Sequence, residues 1–529
     1  MRQRLRRLYE RPERLLQRSV PDPERCSWNS SVSFLAPGAQ ENRVEAITSG
    51  QFKFLNQEHN LGWPPADWDV PGMGKLWQYN LNYFDWLWAL DYGALRAAVL
   101  DWIRRCTPAQ RRVAWEPYPT SLRLMNWCGL CCGKFRKETE EDGEFRRELW
   151  HSVYLQAEWL RGHLETYLLG NHLLENGAAL AFVGSCFSGD SGKRWLKKGL
   201  EILDRQIAEQ ILPDGMHFER SPMYHVRMTY LMRLLRDTGH EKLKGRVAEP
   251  LTRMRRALAH LCHPDGQIAL FNDSAFGIYN DPADLLGPEA APAGPWALPD
   301  AGYYGYRGAD GTYVICDAGP IGPDYIPGHA HGDIFSFELS IKGQRVIVDS
   351  GVYDYLPSEM RQYCRSTRAH NTVEIDGQDQ CEFWGAFRVG RRGRPREVNW
   401  QPQPHGFTLS GWHDSYRRLP GAPIHHRSLR WEKSNQLVVS DRVRAHRSVK
   451  AVSRLHLHPC CCIKSSGLRE AVIGYPGGEF QVAWIHEGIF QREEFFYCSG
   501  FGRKEPGWAV AVALQGNHIE NGFTVTFGS

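Results

Sequence analysis

No apolar run of about 18 or more residues occurs in this sequence, so it offers no helix that could cross a bilayer. The arginine-rich stretch Met1 to Arg18 also lacks the apolar core of a secretory signal, and the chain as written carries no export address. A removed signal peptide would leave the same trace. Charge of one sign is lacking too: the formal net charge is +4 over 529 residues, which argues against a nucleic-acid binder with a dominating basic surface. Disulfide spacing is missing as well, although there are 14 cysteines. The adjacent pair Cys131-Cys132 and the triplet Cys460-Cys461-Cys462 make poor frameworks and favour a reducing compartment or buried thiols. Cys128-Gly129-Leu130-Cys131 has neither a second CxxC nor a thioredoxin-like pattern around it, so no redox or metal role is read there. No fixed-period repeat of the solenoid kind is visible.

What is present begins with aromatics. Nineteen tryptophans and 21 tyrosines often lie beside polar residues, as from Trp77 to Trp86. Sugar rings have apolar faces and polar edges, so such material suits carbohydrate, although most of these rings belong in a core. The length exceeds what a single core of roughly 250–300 residues holds, so two or three domains are expected. Apolar spacing is helical from about Leu76 to Cys262, with Leu81, Phe84 and Trp88, then Leu95, Val99 and Trp102, then Leu155 and Trp159, then Leu164, Tyr167 and Leu168. Ser221-Pro222 is a helix start that puts Tyr224 in the first turn of a helix from Met223 to Leu235. Between Asn280 and Pro299 a Pro, Ala and Gly-rich stretch reads as a linker. Beyond it, period-two patterns at Gly311 to Cys316, Phe335 to Ile341, His370 to Ile375 and Leu437 to Val443 predict mostly antiparallel strands, most simply a sandwich.

Three groups could carry chemistry. Pro327-Gly328-His329-Ala330-His331-Gly332-Asp333 places two histidines on one face of an extended segment, where they could bind a metal, move protons, or lie idle in a Gly-rich turn. Asn171, His172 and Glu175 share one turn or face of a helix, so a carboxylate could orient the imidazole. The third comprises Arg220, Tyr224, His225 and Arg227, with Asn272-Asp273-Ser274 further on. Arg388, Arg391, Arg392, Arg394 and Arg396 form a cluster whose planar forks suit carboxylate or sulfate, or simply a solvated loop.

Asn171-His172 with Glu175, Ser221-Pro222-Met223-Tyr224, His329 to Asp333, Asp349-Ser350-Gly351 and Arg365 to Val373 together, in this order over about residues 75–400, resemble the heparinase II/III family of polysaccharide lyases. The resemblance implies an α+β multidomain chain: an arm over 1–70, an incomplete (α/α) toroid over 71–295 and an antiparallel β-sandwich over 296–529. It places the active site in the cleft between the last two. It also implies β-elimination on uronate-containing polysaccharides of the heparan, chondroitin, hyaluronan or alginate class, and periplasmic or secreted action. By this carry-over Asn171, helped by His172, neutralises the uronate carboxylate and Glu175 orients His172. Tyr224 moves a proton at the leaving oxygen and His329 is base or partner. A further tyrosine corresponds to Tyr355 or Tyr363, and Trp86, Arg220, Trp384 and Arg388 are the expected substrate contacts. His331, Asp349 and His370 would hold a divalent metal, zinc by preference. Strand arithmetic objects to this trio: with a hairpin turn at Lys342-Gly343, Asp349 faces Ser336 and His331 lies roughly 16 Å off, unless the segment before Asp333 folds back. The rival readings are a glycoside hydrolase using Asp214, Glu219 or Asp273, and a non-catalytic protein that binds or assembles acidic polysaccharide.

Overall fold

Two helices of the first half start where a short acidic side chain takes a free amide. Asp91 accepts from Ala94 N at the head of Tyr92–Arg105, and Asp142 accepts from Phe145 N at the head of Gly143–Gly162. The computed structural model describes residues 34–38, 42–108, 113–287, 291–432, 435–484 and 488–528. They fall into two compact units. One is helical, running to Gln210 and taking in Met228–Leu251; the other, strand-rich, joins Ile211–Arg227 to the chain from Thr252 onward. Among the described residues no helix is long and apolar enough to cross a membrane.

In the helical unit, Leu95, Val99 and Trp102 are buried along Tyr92–Arg105 as their spacing predicts. Two expectations fail locally. Phe84 has a left-handed φ of 65°, which ends Lys75–Tyr83 and leaves Trp88 in the 3-10 turn Asp85–Ala89. Leu164, Tyr167 and Leu168 lie in a turn after Gly143–Gly162, with Tyr167 and Leu168 exposed. The turn is held from outside itself, because Glu165 N donates to Asn176 Oδ1 at 2.8 Å. The expected arm also contains ordered structure: the hairpin Gln51–Phe54 and Gln57–Asn60 packs Phe52 on Trp86 and Phe54 on Trp77. Trp86 is therefore a core residue and not a substrate contact. It stacks against Trp68 and Phe84, and its indole N–H donates to Leu81 O at 3.1 Å.

The helices Gly170–Cys186 and Gly189–Gln210 approach backbone to backbone. A Cβ on Gly199 would lie 2.3 Å from Ala181 N, and one on Gly184 would lie 2.3 Å from Leu196 N. This closeness locks Gly170–Cys186, the helix whose first turn carries Asn171 and His172, against its neighbour. Gln210 reinforces it by donating from Nε2 to Gly170 O at 2.7 Å.

The described residues of the strand-rich unit form two large antiparallel sheets and a separate two-stranded hairpin. Gly294–Leu298, Tyr303–Arg307, Tyr313–Asp317, Phe337–Ile341 and Gln344–Ile347 form a five-stranded meander. A ten-stranded sheet is built around the long strands Gln436–His456 and Arg503–Phe527. Val314, Phe337, Leu339 and Val346 of the first share one core with Leu409, Val439, Val482 and Phe523 of the second. The predicted linker is partly structured, since it includes the helix Pro282–Leu286 and the first strand of the meander. Residues placed before position 295 by the sequence also belong to this unit: Ile211 bridges His217, and Asp214 takes the amide of Ala301 at 2.8 Å.

Gly199→Ala should destabilise the protein by about 1–3 kcal/mol, because backbone atoms must move apart to admit one methyl group. Gly245→Ala, in Glu241–Leu261 with open space around the new carbon, should instead be neutral or stabilising. Urea unfolding of the two variants checks the opposite signs.

Candidate active site

The third polar group is built around a helix start. Ser221 Oγ accepts from Tyr224 N at 3.2 Å at the head of Pro222–Asp237, and its hydroxyl donates to Asp273 O at 2.6 Å. One bond caps the helix; the other fastens it to the segment Asn272-Asp273-Ser274. Asn272, with φ 55°, accepts the amide of His331 on Oδ1 at 3.0 Å and gives its own amide to Asp333 Oδ2 at 3.1 Å.

Asp273 is the hub. Its fully buried carboxylate receives His329 Nδ1 at 2.7 Å and His331 Nε2 at 2.9 Å, and both terminal nitrogens of Arg361 grip it. Burial alone would raise this carboxyl, but the Arg361 guanidinium and the two imidazoles hold it well below the usual carboxylate range. A carboxylate accepts only, so each histidine turns an N–H toward it and points its opposite ring nitrogen away. For His329 that nitrogen is Nε2, which lies 3.5 Å from Glu219 Oε2.

Tyr224 lies against this imidazole, with ring centroids 4.1 Å apart, and its hydroxyl meets the Tyr355 hydroxyl at 3.2 Å. Burial pushes both phenols well above the usual tyrosine range, so both carry their protons at neutral pH. Tyr363 is elsewhere engaged: its hydroxyl accepts from Phe496 N at 3.2 Å, which makes Tyr355 the tyrosine at Tyr224. Arg220 is also engaged. Its guanidinium donates to Ala301 O, Phe218 O and Asp300 O, so it holds a loop and is not available as a substrate contact. Of the hydrolase candidates, Asp214 caps backbone amides and Asp273 is locked in its ionised form, so neither is placed to act as a general acid.

His331, Asp349 and His370 do come together, each offering a ligand atom within 4.8 Å of the others. The objection from strand arithmetic fails because the chain folds back. Phe335 adopts φ 63°, Ser336 N donates to Asp333 O, and Gly332 N donates to Arg365 O. A bulge between Leu339 and Ser340 also shifts the register. Asn371 then clamps the ends by donating from Nδ2 to both Phe337 O and Val348 O, which sets His370 Nδ1 at 2.7 Å from Asp349 Oδ2. The trio fits a divalent ion. His331 Nδ1 and His370 Nε2 are buried without a hydrogen-bond partner among the described residues, and a nitrogen and oxygen donor set suits zinc. Burial lowers His331 to about 3, so it is neutral as a ligand must be. Burial would lower His370 too, but Asp349 and Asp333 outweigh it and raise the group to about 9, so His370 must release a proton to accept a metal.

In the helical unit, Asn171 and His172 occupy the first turn of Gly170–Cys186. The carboxylate on His172 is not Glu175: Glu165 Oε1 stands 3.0 Å from His172 Nδ1, while its Oε2 accepts from Asn176 Nδ2. Glu175 is three residues along the same helix but fully buried, whereas the turn that breaks the expected helical run brings Glu165 over. Tyr118 packs on the His172 ring at 4.3 Å. Sequence reasoning missed Glu165, Tyr118 and Arg361, none of which has a local signal.

Residues 92–281 match the heparinase II/III N-terminus and residues 290–521 match the heparinase II/III-like C-terminal domain. The chain belongs to the heparinase II/III family. It is 27% identical over 382 residues to a heparin-sulfate lyase of Pedobacter heparinus, covering 65% of this chain and 54% of that protein. It is 26% identical over 321 residues to FtsZ-localized protein C of Caulobacter vibrioides, covering 58% of this chain and 54% of that one. The matched span is thus about half the length of each of these relatives. The fold is similar to that of heparinase III, with a TM-score of 0.76 at 16% identity, covering 98% of this chain and 89% of the other. The heparan sulfate lyase HepC of Pedobacter heparinus gives 0.63 at 20% identity, covering 91% and 82%.

Within this family member, Arg361→Leu should cost about 3–5 kcal/mol, since it strands a buried carboxylate with only imidazoles beside it. Arg391→Ala, at a solvated pair with Glu382, should leave the unfolding midpoint unchanged. Chemical denaturation at neutral pH measures both.

Proposed function

We propose that this chain is a polysaccharide lyase that cleaves uronate-containing polymers by β-elimination. The observation that carries the reading is the contact of Tyr224 with His329, backed by Asp273. The C5 proton of a uronate is barely acidic while the adjacent carboxylate is charged, so that group must be neutralised first. Asn171 and His172 take this task by the family correspondence. Support comes from their place in a helical first turn, whose free amides favour an anion, and from Glu165 orienting the His172 ring.

His329 takes the C5 proton on Nε2, since Nδ1 is committed to Asp273. The electron pair of the C5–H bond becomes the C4–C5 double bond as the C4–O bond breaks. Tyr224, kept protonated by burial, delivers its proton to the departing oxygen. The Tyr355 hydroxyl beside it offers a route by which that proton is restored. The incomplete toroid and the sandwich are the architectures we propose for the two units, by the same correspondence. Heparan-type polymers are the first substrates to try, given the relatives named heparin-sulfate lyase, followed by chondroitin, hyaluronan and alginate.

Wild-type protein should release products with a conjugated, ultraviolet-absorbing uronate at the new non-reducing end. Tyr224→Phe should lower kcat by about two to four orders of magnitude with KM little changed, because only the proton-bearing hydroxyl is lost. Saturated products, or full activity in the variant, would overturn this assignment.

We also propose that His331, Asp349 and His370 hold a divalent ion, zinc first, which when bound supplies a structural cross-link between the folded-back segment and the sheet ends. Elemental analysis should find about one ion per chain, and alanine at any of the three should remove it and lower Tm, since an ion bound only by the folded state stabilises that state. His329→Ala should keep the ion and lose activity.

A second reading, a non-catalytic protein that binds or assembles acidic polysaccharide, is favoured by the match to FtsZ-localized protein C, a relative not named as a lyase. Binding of such a polymer with no absorbing product from any of the panel would select it.

A further inference from the structure

Beside His329 lies a hairpin, Cys381–Trp384 with Arg388–Arg392, whose outer side chains the elimination chemistry does not use. Its tip exposes two aromatic rings three residues apart, Trp384 at 53% and Phe387 at 44%. The tip is nevertheless rigid. Arg361, the same residue that grips Asp273, donates from Nε to Ala386 O at 2.8 Å. Arg365 donates to Gly385 O, Ala386 O and Arg388 O. Two buried guanidinium groups thus pin the backbone of the tip, and one of them ties it to the carboxylate that orients the base. Phe387 ends 6.1 Å from the His329 ring and 5.2 Å from Tyr355, centroid to centroid.

The arginine cluster sorts itself on inspection of its partners. Arg391 pairs with Glu382, Arg394 with Asp324 and Arg396 with Asp414, while Arg392 donates to Asp324 O. Arg388 alone in this cluster has no carboxylate or hydrogen-bond partner for its guanidinium among the described residues. It lies instead over the Trp384 ring at 4.6 Å, with its fork open to solvent. Trp384 thereby holds the guanidinium in place through its π face, which reduces the side-chain freedom lost on binding.

We propose that this tip is a sugar subsite for an anionic residue neighbouring the one cleaved: Phe387 packs on the apolar face of the ring, and Arg388, held by Trp384, pairs with its carboxylate or sulfate. The assignment rests on the polysaccharide reading above but not on catalysis. The shared ligand chemistry is a sugar-borne anion within reach of an aromatic ring, and the geometry gives Trp384 the role of positioning Arg388.

The test uses the full chain with heparan sulfate and with its unsulfated backbone polymer. Arg388→Ala and Phe387→Ala should each raise KM about tenfold, the scale of one charge-assisted contact, with kcat changed less than about twofold. Arg391→Ala, whose fork is committed to Glu382, should change neither. A smaller KM effect of Arg388→Ala on the unsulfated polymer identifies sulfate as the partner, and an equal effect identifies the carboxylate. Wild-type turnover with unchanged KM in both Arg388→Ala and Phe387→Ala overturns the subsite while leaving the lyase reading intact. If wild type forms no unsaturated product, the lyase reading fails and the subsite is judged by equilibrium binding of the same two polymers. Weaker binding by Arg388→Ala but not Arg391→Ala then upholds it, and equal binding overturns it.

Discussion

One buried carboxylate organises the strand-rich unit. Asp273 takes an N–H from each of two histidines and a two-pronged contact from Arg361, and it does so without access to water. A carboxylate in that position is tolerable only because it is fully paired, and removing a partner would leave a charge that the surroundings cannot solvate. The same pairing fixes two tautomers at once. His329 points its other nitrogen toward Glu219, and His331 is left with a lone pair toward Asp349 and His370. Two histidines two residues apart are thus divided between separate tasks by the direction in which each ring faces a shared acceptor.

The consequences reach outward along Arg361. Its guanidinium spans Asp273 and the carbonyl of Ala386, so the orientation of the imidazoles and the position of the hairpin tip are set by a single side chain. Arg365, one turn later on Glu359–Arg365, adds the carbonyls of Ala330, Gly385 and Ala386. A loop that would otherwise move on its own is made part of the scaffold. Preorganisation of this kind is what allows polar groups to act without a reorganisation cost at the moment of reaction. In the helical unit the analogous role falls to Glu165 and Asn176, which fix the His172 ring from a turn.

Much of this was legible in the chain. Ser221-Pro222 announces a helix start because a hydroxyl can take a free amide and proline fits the first turn; Tyr224 follows by counting. The switch from a period near 3.6 to a period of two divides helices from strands, and the ordered set of polar motifs points to one family. Local rules erred where a local feature was overridden. Phe84 breaks its helix through a left-handed φ, Leu164 to Leu168 form a turn held by Asn176, and Trp86 looked like a sugar platform but is surrounded by Phe52, Trp68 and Phe84.

What the sequence by itself determined was which residue types were available in which order: a tyrosine in a first turn, an Asn-His pair opening a helix, two histidines before a strand, and an arginine cluster near two aromatic rings. Periodicity and capping act over a few residues, so they are recoverable from the chain alone. Only the tertiary structure decided the pairings. Glu165 replaces Glu175 on His172, Tyr355 rather than Tyr363 meets Tyr224, and the folded-back segment brings His331 to Asp349 and His370 despite a register that separates them. Each of these is a contact between residues distant in sequence or across a break in regular structure, and its partner is chosen by which buried donor or acceptor would otherwise go unsatisfied.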